Sequence, residues 1–245
     1  MKHLKYWFFF CILLFVPFCM AISNSIQKTA GSTSSNTALT LPDKNRPYDK
    51  VKVNAGLIRQ QLNKGIASGK ISYDSASKVF TRIIRDSIIP YWYGTVWDFN
   101  GYTAVPQQGT VACGYFVSTT LQHSDLKLNR YKMAQKSAMD GALMLEKKDS
   151  LYIKQCSRDA FLPAFKQTHR NGLYMVGLSN HVGYLYKQDS LVQFIHSSYI
   201  SPGTVVVEDA ATSVALGYSK VFVVADITYN RPLLRKWLKG ETIPH

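Results

Sequence analysis

A change of texture at Gly172 constrains this chain more than any other feature. Before it, apolar residues recur at helical spacing; after it, short β-prone runs alternate with turn residues. Over residues 51–66 the spacing of Val53, Leu57, Ile58, Leu62 and Ile66 predicts an amphipathic helix. A second helix, capped by Ser72 or Asp74, carries Ala76, Val79, Phe80, Ile83 and Ile84 and is expected to stop at Pro90. Residues 91–111 are aromatic and glycine-rich without sustained period, which reads as an ordered loop. Helical character returns over 112–121, 131–145 and 157–169. Beyond Gly172, residues 173–178, 181–186, 191–196, 204–207 and 221–227 read as strands, and 232–238 as a terminal helix. Lys187-Gln188-Asp189-Ser190 reads as a hairpin connection. Helices first and an antiparallel meander afterwards predict an α+β fold.

The start of the chain concerns its destination. Lys2, His3 and Lys5 precede an apolar run from Trp7 to Phe18, and small residues follow before Ser23 and Asn24. That pattern predicts a secretory signal over residues 1–21, too short in its apolar part to span a bilayer. The chain is therefore expected to be exported, periplasmic or extracellular. Lipid anchoring at Cys19 is disfavoured, because bulky Phe18 sits where a small residue is wanted. Residues 22–45 are rich in Ser, Thr, Asn and Ala, a composition that cannot bury enough apolar surface to order itself; they are read as a tether. The folded domain is assigned to residues 46–245, with ordered structure expected from Tyr48.

The formal net charge is +14. In an exported protein this favours anionic partners: cell-wall polymers, acidic peptides, or membrane headgroups at a peripheral contact. The Lys and Arg residues are scattered, with no dense block and no aromatic nucleic-acid motif, so nucleic acid is not an expected partner. Past the signal only Cys113 and Cys156 remain, and a domain of this size needs no disulfide staple.

Chemistry concentrates around Cys113. A glycine-bearing loop, Gly109-Thr110-Val111-Ala112, delivers the chain to this cysteine, and helical residues follow. At a helix N-terminus the dipole and the unpaired N–H groups favour thiolate and can receive an oxyanion. A buried, inert cysteine is the bland alternative. His181 stands at a strand start and His196 at the end of the next strand. An antiparallel hairpin brings such positions together, so that His196 holds the far ring nitrogen of His181.

These residues carry a resemblance. Pro90-Tyr91-Trp92-Tyr93-Gly94, Cys113-Gly114-Tyr115-Phe116, His181-Val182-Gly183-Tyr184 and Phe194-Ile195-His196 follow in the order seen in the NlpC-type cysteine peptidases of bacterial cell walls. The chain resembles a divergent member of that family over roughly residues 89–208. The resemblance implies a papain-like fold, Cys113 as nucleophile, His181 as base, His196 as third polar member, and Tyr91 near the oxyanion position. It also implies an amide bond in peptidoglycan stem peptides as substrate, and no cofactor. Three departures stand out. Ala112 and Gly114 flank the cysteine where the family usually has Asp and Ser. The gap from Tyr91 to Cys113 is long, and a segment over 129–172 separates the nucleophile helix from the sheet. In the long gap Tyr93, Trp97 and Asp98 are candidate substrate-binding residues, although Asp98 also suits an ordinary loop role.

Other residues weigh less. His123 and His169 are read as surface residues, and Glu208 and Asp209 as following a strand and capping the next turn. No Cys or His set has zinc spacing, so no metal site is expected. Ser118 and Ser197 lie in no serine-hydrolase elbow. Two other functions share these residues: a non-catalytic module gripping cell-wall peptide in an inert cleft, and a thiol amidase or acyltransferase acting on another amide.

Overall fold

The computed structural model describes residues 47–244; the predicted signal, Cys19 and the tether lie outside them. Helix α1 spans Tyr48–Ala67 and buries Val51, Ala55, Ile58 and Leu62. Those positions share one helical face. Val53 and Leu57, expected on that face, point to solvent instead. The stripe is rotated because small Ala55, rather than a large residue, marks the contact.

Ser72 starts α2, Tyr73–Arg82, its hydroxyl accepting from the Ser75 N–H at 3.1 Å. Pro90 does not end this helical path as expected. The chain runs on through a π-helical stretch, Ile83–Ile88, into a 3₁₀ turn, Ile89–Trp92. Pro90 occupies the start of that turn, where its missing N–H is not needed. Residues 93–112 form the expected ordered loop, tied down by bridges from Val96 to Thr110 and Thr204 and from Tyr102 to Val111.

Helix α3 spans Cys113–His123. The single helix expected over 131–145 is two, α4 (Arg130–Ala134) and α5 (Ala138–Leu145). Ser137 divides them: its hydroxyl caps α5 by accepting the Asp140 N–H at 3.1 Å. Such local bonding competes with helix continuation. A short strand, β1 (Tyr152–Gln155), carries too little alternation to read from sequence, because three of its four residues are exposed. Ser157 caps α6, Arg158–Thr168.

The sheet follows: β2 (Gly172–Leu178), β3 (Val182–Gln188), β4 (Leu191–Ser197), β5 (Val205–Asp209) and β6 (Val221–Asp226). Asp189 adopts a left-handed φ of 53° in the turn joining β3 to β4. The order is β1-β6-β2-β3-β4-β5, and every pair is antiparallel. Helix α7 (Val214–Tyr218) precedes β6, and α8 (Arg231–Lys239) follows it. The architecture is thus mixed helix and antiparallel sheet, as the texture predicts.

Helices cover both sheet faces, which explains why β2 is buried along its whole length. Leu173 and Met175 join the larger apolar cluster with residues of α1, α2, α3, α5 and α8. Tyr174, Val176 and Leu178 join a second cluster with residues of α6 and α7. In the larger cluster Trp237 is fully buried, 4.4 Å from the Phe80 ring, and donates to the Ser124 carbonyl at 2.8 Å. Trp237→Ala is expected to cost about 3–5 kcal/mol. In urea unfolding this appears as a lower midpoint with an unchanged slope; an unaltered midpoint contradicts the packing described.

Candidate active site

Helix α3 begins at Cys113 because Ala112 is extended and its groups are already committed. The Ala112 N–H donates to the Gly101 carbonyl at 2.8 Å, and its carbonyl accepts the Phe116 N–H at 2.9 Å. The N–H groups of Cys113 and Gly114 are left at the helix end. A side chain at Gly114 would place its Cβ 2.5 Å from the Ala134 carbonyl oxygen. Glycine is therefore required where the C-terminal end of α4 crosses the start of α3.

Cys113 and Cys156 are both free thiols, each partly buried. Sequence reasoning predicts a depressed Cys113 pKa; the direction is the reverse. Burial pushes the thiol up, and the backbone N–H groups of Val182, Gly114 and Cys113 only partly oppose it. The Val182 contact sets the sulfur against the residue that follows His181.

His181 is buried directly before β3, and burial, together with nearby His196, pulls its pKa down to about 3. Its Nε2 lies 2.8 Å from His196 Nδ1. The hairpin register explains this meeting. Tyr184 faces Ile195, which puts Gly183 opposite His196 and His181 one diagonal step away. A Cβ on Gly183 would fall 2.7 Å from Phe194 Cε2 and 2.8 Å from His196 Cβ. The bare backbone at Gly183 leaves room for His196, which stacks on Phe194 at 4.1 Å.

A fourth group completes the chain. His196 is fully buried, and its Nε2 lies 3.1 Å from Glu208 Oε1. The bond from His196, with help from Ser213, holds the Glu208 carboxyl below its usual range. An ionised Glu208 only accepts, so His196 donates to it through Nε2, and the tautomer that does so accepts from His181 through Nδ1. His181 then donates through Nε2, and its own Nδ1 carries the lone pair. That is the tautomer a thiol proton requires.

Glu208 does not play the turn-capping role expected of it. It lies within β5, where the bond to His196 takes its carboxylate; Asp209 does the capping, accepting the Ala211 N–H at 2.9 Å. Sequence reasoning also misses Tyr199. Its ring meets His181 edge-on at 5.1 Å, and Cys113 is among the groups that raise its phenol. Its position just after the Phe-Ile-His strand was the available signal.

The other candidates fall in different places. Tyr91 packs its ring on Tyr48 at 5.1 Å and its carbonyl accepts from Gln107; it is not among the residues lining the Cys113 cavity. Tyr199 is a second tyrosine at the site, set beside the His181 ring rather than at the oxyanion position expected of Tyr91. Tyr93 lies in a separate surface pocket with Arg85, Asp86 and Tyr186. Trp97 reaches the site indirectly, its ring 6.1 Å from that of Tyr199. Asp98 is exposed and accepts the Asn100 N–H at 2.7 Å, a turn-forming role.

His123 is not the surface residue expected, and His169 is only partly so. His123 bonds the Tyr48 hydroxyl at 2.9 Å beside Trp92, and burial takes its pKa to about 4. His169 is half-buried and stacks on Phe165 at 4.3 Å. Among the described residues, no group of three or more His, Cys, Asp or Glu is arranged to hold a metal ion.

Cys113 and His181 open onto one cavity of about 270 Å³, walled by α3, α4, α5 and β2. The segment 129–172 supplies most of its far wall. With the thiol raised and His181 lowered, the resting pair is neutral. Iodoacetamide labelling of Cys113 should therefore accelerate steadily from pH 6 to pH 9. A rate plateau reached below pH 6 would mean a thiolate–imidazolium pair and contradict this electrostatic picture.

No protein-family model, curated protein or solved structure matches the chain.

Proposed function

We propose that this chain is a cysteine hydrolase of amide bonds, built on a divergent NlpC-type, papain-like fold. The observation that carries the reading is the hydrogen-bonded series His181–His196–Glu208, whose first member lines the same cavity as the Cys113 sulfur at its helix start. His181 Nδ1 takes the thiol proton as sulfur attacks the carbonyl carbon. The oxyanion falls to the N–H groups of Cys113 and Gly114, which face the sulfur at rest. Protonated His181 then gives its proton to the leaving amine as the C–N bond breaks. Water cleaves the resulting thioester, releasing a carboxylic acid and restoring the thiol.

Burial and nearby His196 hold His181 at about 3 at rest, so the imidazolium forms only together with the negative charge that the attacking sulfur brings beside it.

The net positive charge and the resemblance favour an anionic, exported substrate, with peptidoglycan stem peptides the first to test. Among the described residues no helix is long and apolar enough to cross a membrane. The experiment is digestion of purified peptidoglycan by wild type and Cys113→Ala, with products read by mass spectrometry. New peptide termini only with wild type support the reading. Equal products from both proteins overturn the mechanism. A folded protein whose Cys113 resists alkylation even at pH 9 favours a binding module. The apolar walls of the cavity favour one further reading, a thiol amidase acting on a different amide.

A further inference from the structure

The cavity in front of Cys113 has walls that select a chemistry. Val117 lies one helical turn beyond the sulfur, and Met133, Ala134, Ala138, Met175 and Leu178 face it. No acidic side chain lines the space, and Lys136 supplies the single formal charge. The polar groups at the mouth are mostly occupied. Ser137 bonds Asp140 at 2.7 Å, and Ser179 bonds Ser219 at 3.3 Å. Lys136 and Asn180 are exposed at the rim. An acidic stem peptide needs several charged partners here; this cavity offers one cation, Lys136, and its other polar groups are neutral and gathered at the mouth, in front of the aliphatic wall. Its two methionines are unbranched and adapt to a flexible guest.

We propose that the cavity is an acyl-chain subsite: the preferred substrate is an amide whose acyl half is an unbranched aliphatic chain, with an anion near the rim for Lys136. The inference rests on the thiol-hydrolase reading, since the acyl half is the part that stays on Cys113 as thioester while the amine departs. Sulfur and Val117 belong to the same helix face, so a chain held on Cys113 lies along the apolar wall. The segment 129–172, which departs most from the family pattern, supplies the facing wall through α4 and α5.

Binding tests this separately from catalysis. The full chain carrying Cys113→Ser is titrated calorimetrically with acetylglycine, hexanoylglycine and decanoylglycine. Each two methylenes buried should tighten Kd by roughly tenfold until the cavity is full. Ala134→Leu, which fills the cavity, should remove most of the gain for decanoylglycine while leaving the melting temperature within a few degrees. Lys136→Ala should weaken all three acylglycines about equally and leave uncharged decanamide unaffected. Equal affinities for acetylglycine and decanoylglycine, or an Ala134→Leu variant that binds decanoylglycine as before, overturn the acyl-chain subsite. Tighter binding of a stem peptide than of decanoylglycine also overturns it. Alkylation of wild-type Cys113 reports on the nucleophile independently, so failure of the subsite and failure of the hydrolase reading remain distinct.

Discussion

Replacing Cys113 by Ala will reduce amide hydrolysis to the uncatalysed level, a loss of roughly 10⁴–10⁶-fold in kcat. The fold should survive, because Cys113 is a partly buried thiol at a helix start and its removal takes away one sulfur atom. His181→Ala should cost a similar factor, since without an imidazole the raised thiol has no acceptor for its proton. The double variant should be no worse than either single one, as expected for groups that act as a unit. Steady-state kinetics with circular dichroism as the folding control makes the measurement. Retention of more than a tenth of wild-type kcat in folded Cys113→Ala would rule out thiol chemistry.

The second large effect comes from a single methyl group. Gly183→Ala drives a Cβ into Phe194 and His196, at separations real Cβ contacts essentially never show. Either the strands part or the His196 ring moves, and overpacking of this kind costs about 1–3 kcal/mol. Activity should fall further than stability, because displacement of His196 breaks the 2.8 Å bond that sets the His181 tautomer. We expect kcat to drop by roughly 10²-fold with KM little changed, consistent with loss of general-base positioning. Glu208→Gln probes the next link, since a neutral amide no longer requires His196 to donate through Nε2. A Gly183→Ala enzyme with normal kcat contradicts the packing at this site.

Much of the frame was legible before any coordinates. Hydrophobic periodicity located α1, α2 and α6, and the alternation after Gly172 located strands β2 to β6 within a residue or two. Such patterns are local: they follow from repeats of 3.6 and 2 residues that each segment carries itself. The break between α4 and α5 escaped notice, because Ser137 chooses capping over helix continuation only in the folded context. Strand β1 escaped too, since its pairing with β6 gives it order that its exposed residues do not advertise.

The site divides in the same way. Three chemistry-bearing residues, Cys113, His181 and His196, announced themselves through helix-start and hairpin context, which is local information. Burial was not announced. It reversed the expected direction for the thiol and set His181 at about 3, because desolvation depends on what other segments place around a group. Glu208 and Tyr199 joined the site for the same reason. The β4–β5 register delivers Glu208 to His196, and the turn after β4 delivers Tyr199 to His181.

By itself, then, the order of residues determined the element types, the hairpin and the identity of the sulfur and imidazoles. Folding in three dimensions decided the protonation of those groups, the acid that backs them and the apolar cavity they face. Periodicity is written residue by residue along the chain. Electrostatic environment is a sum over neighbours far apart in sequence, and takes its value only once the sheet has paired and the helices have packed.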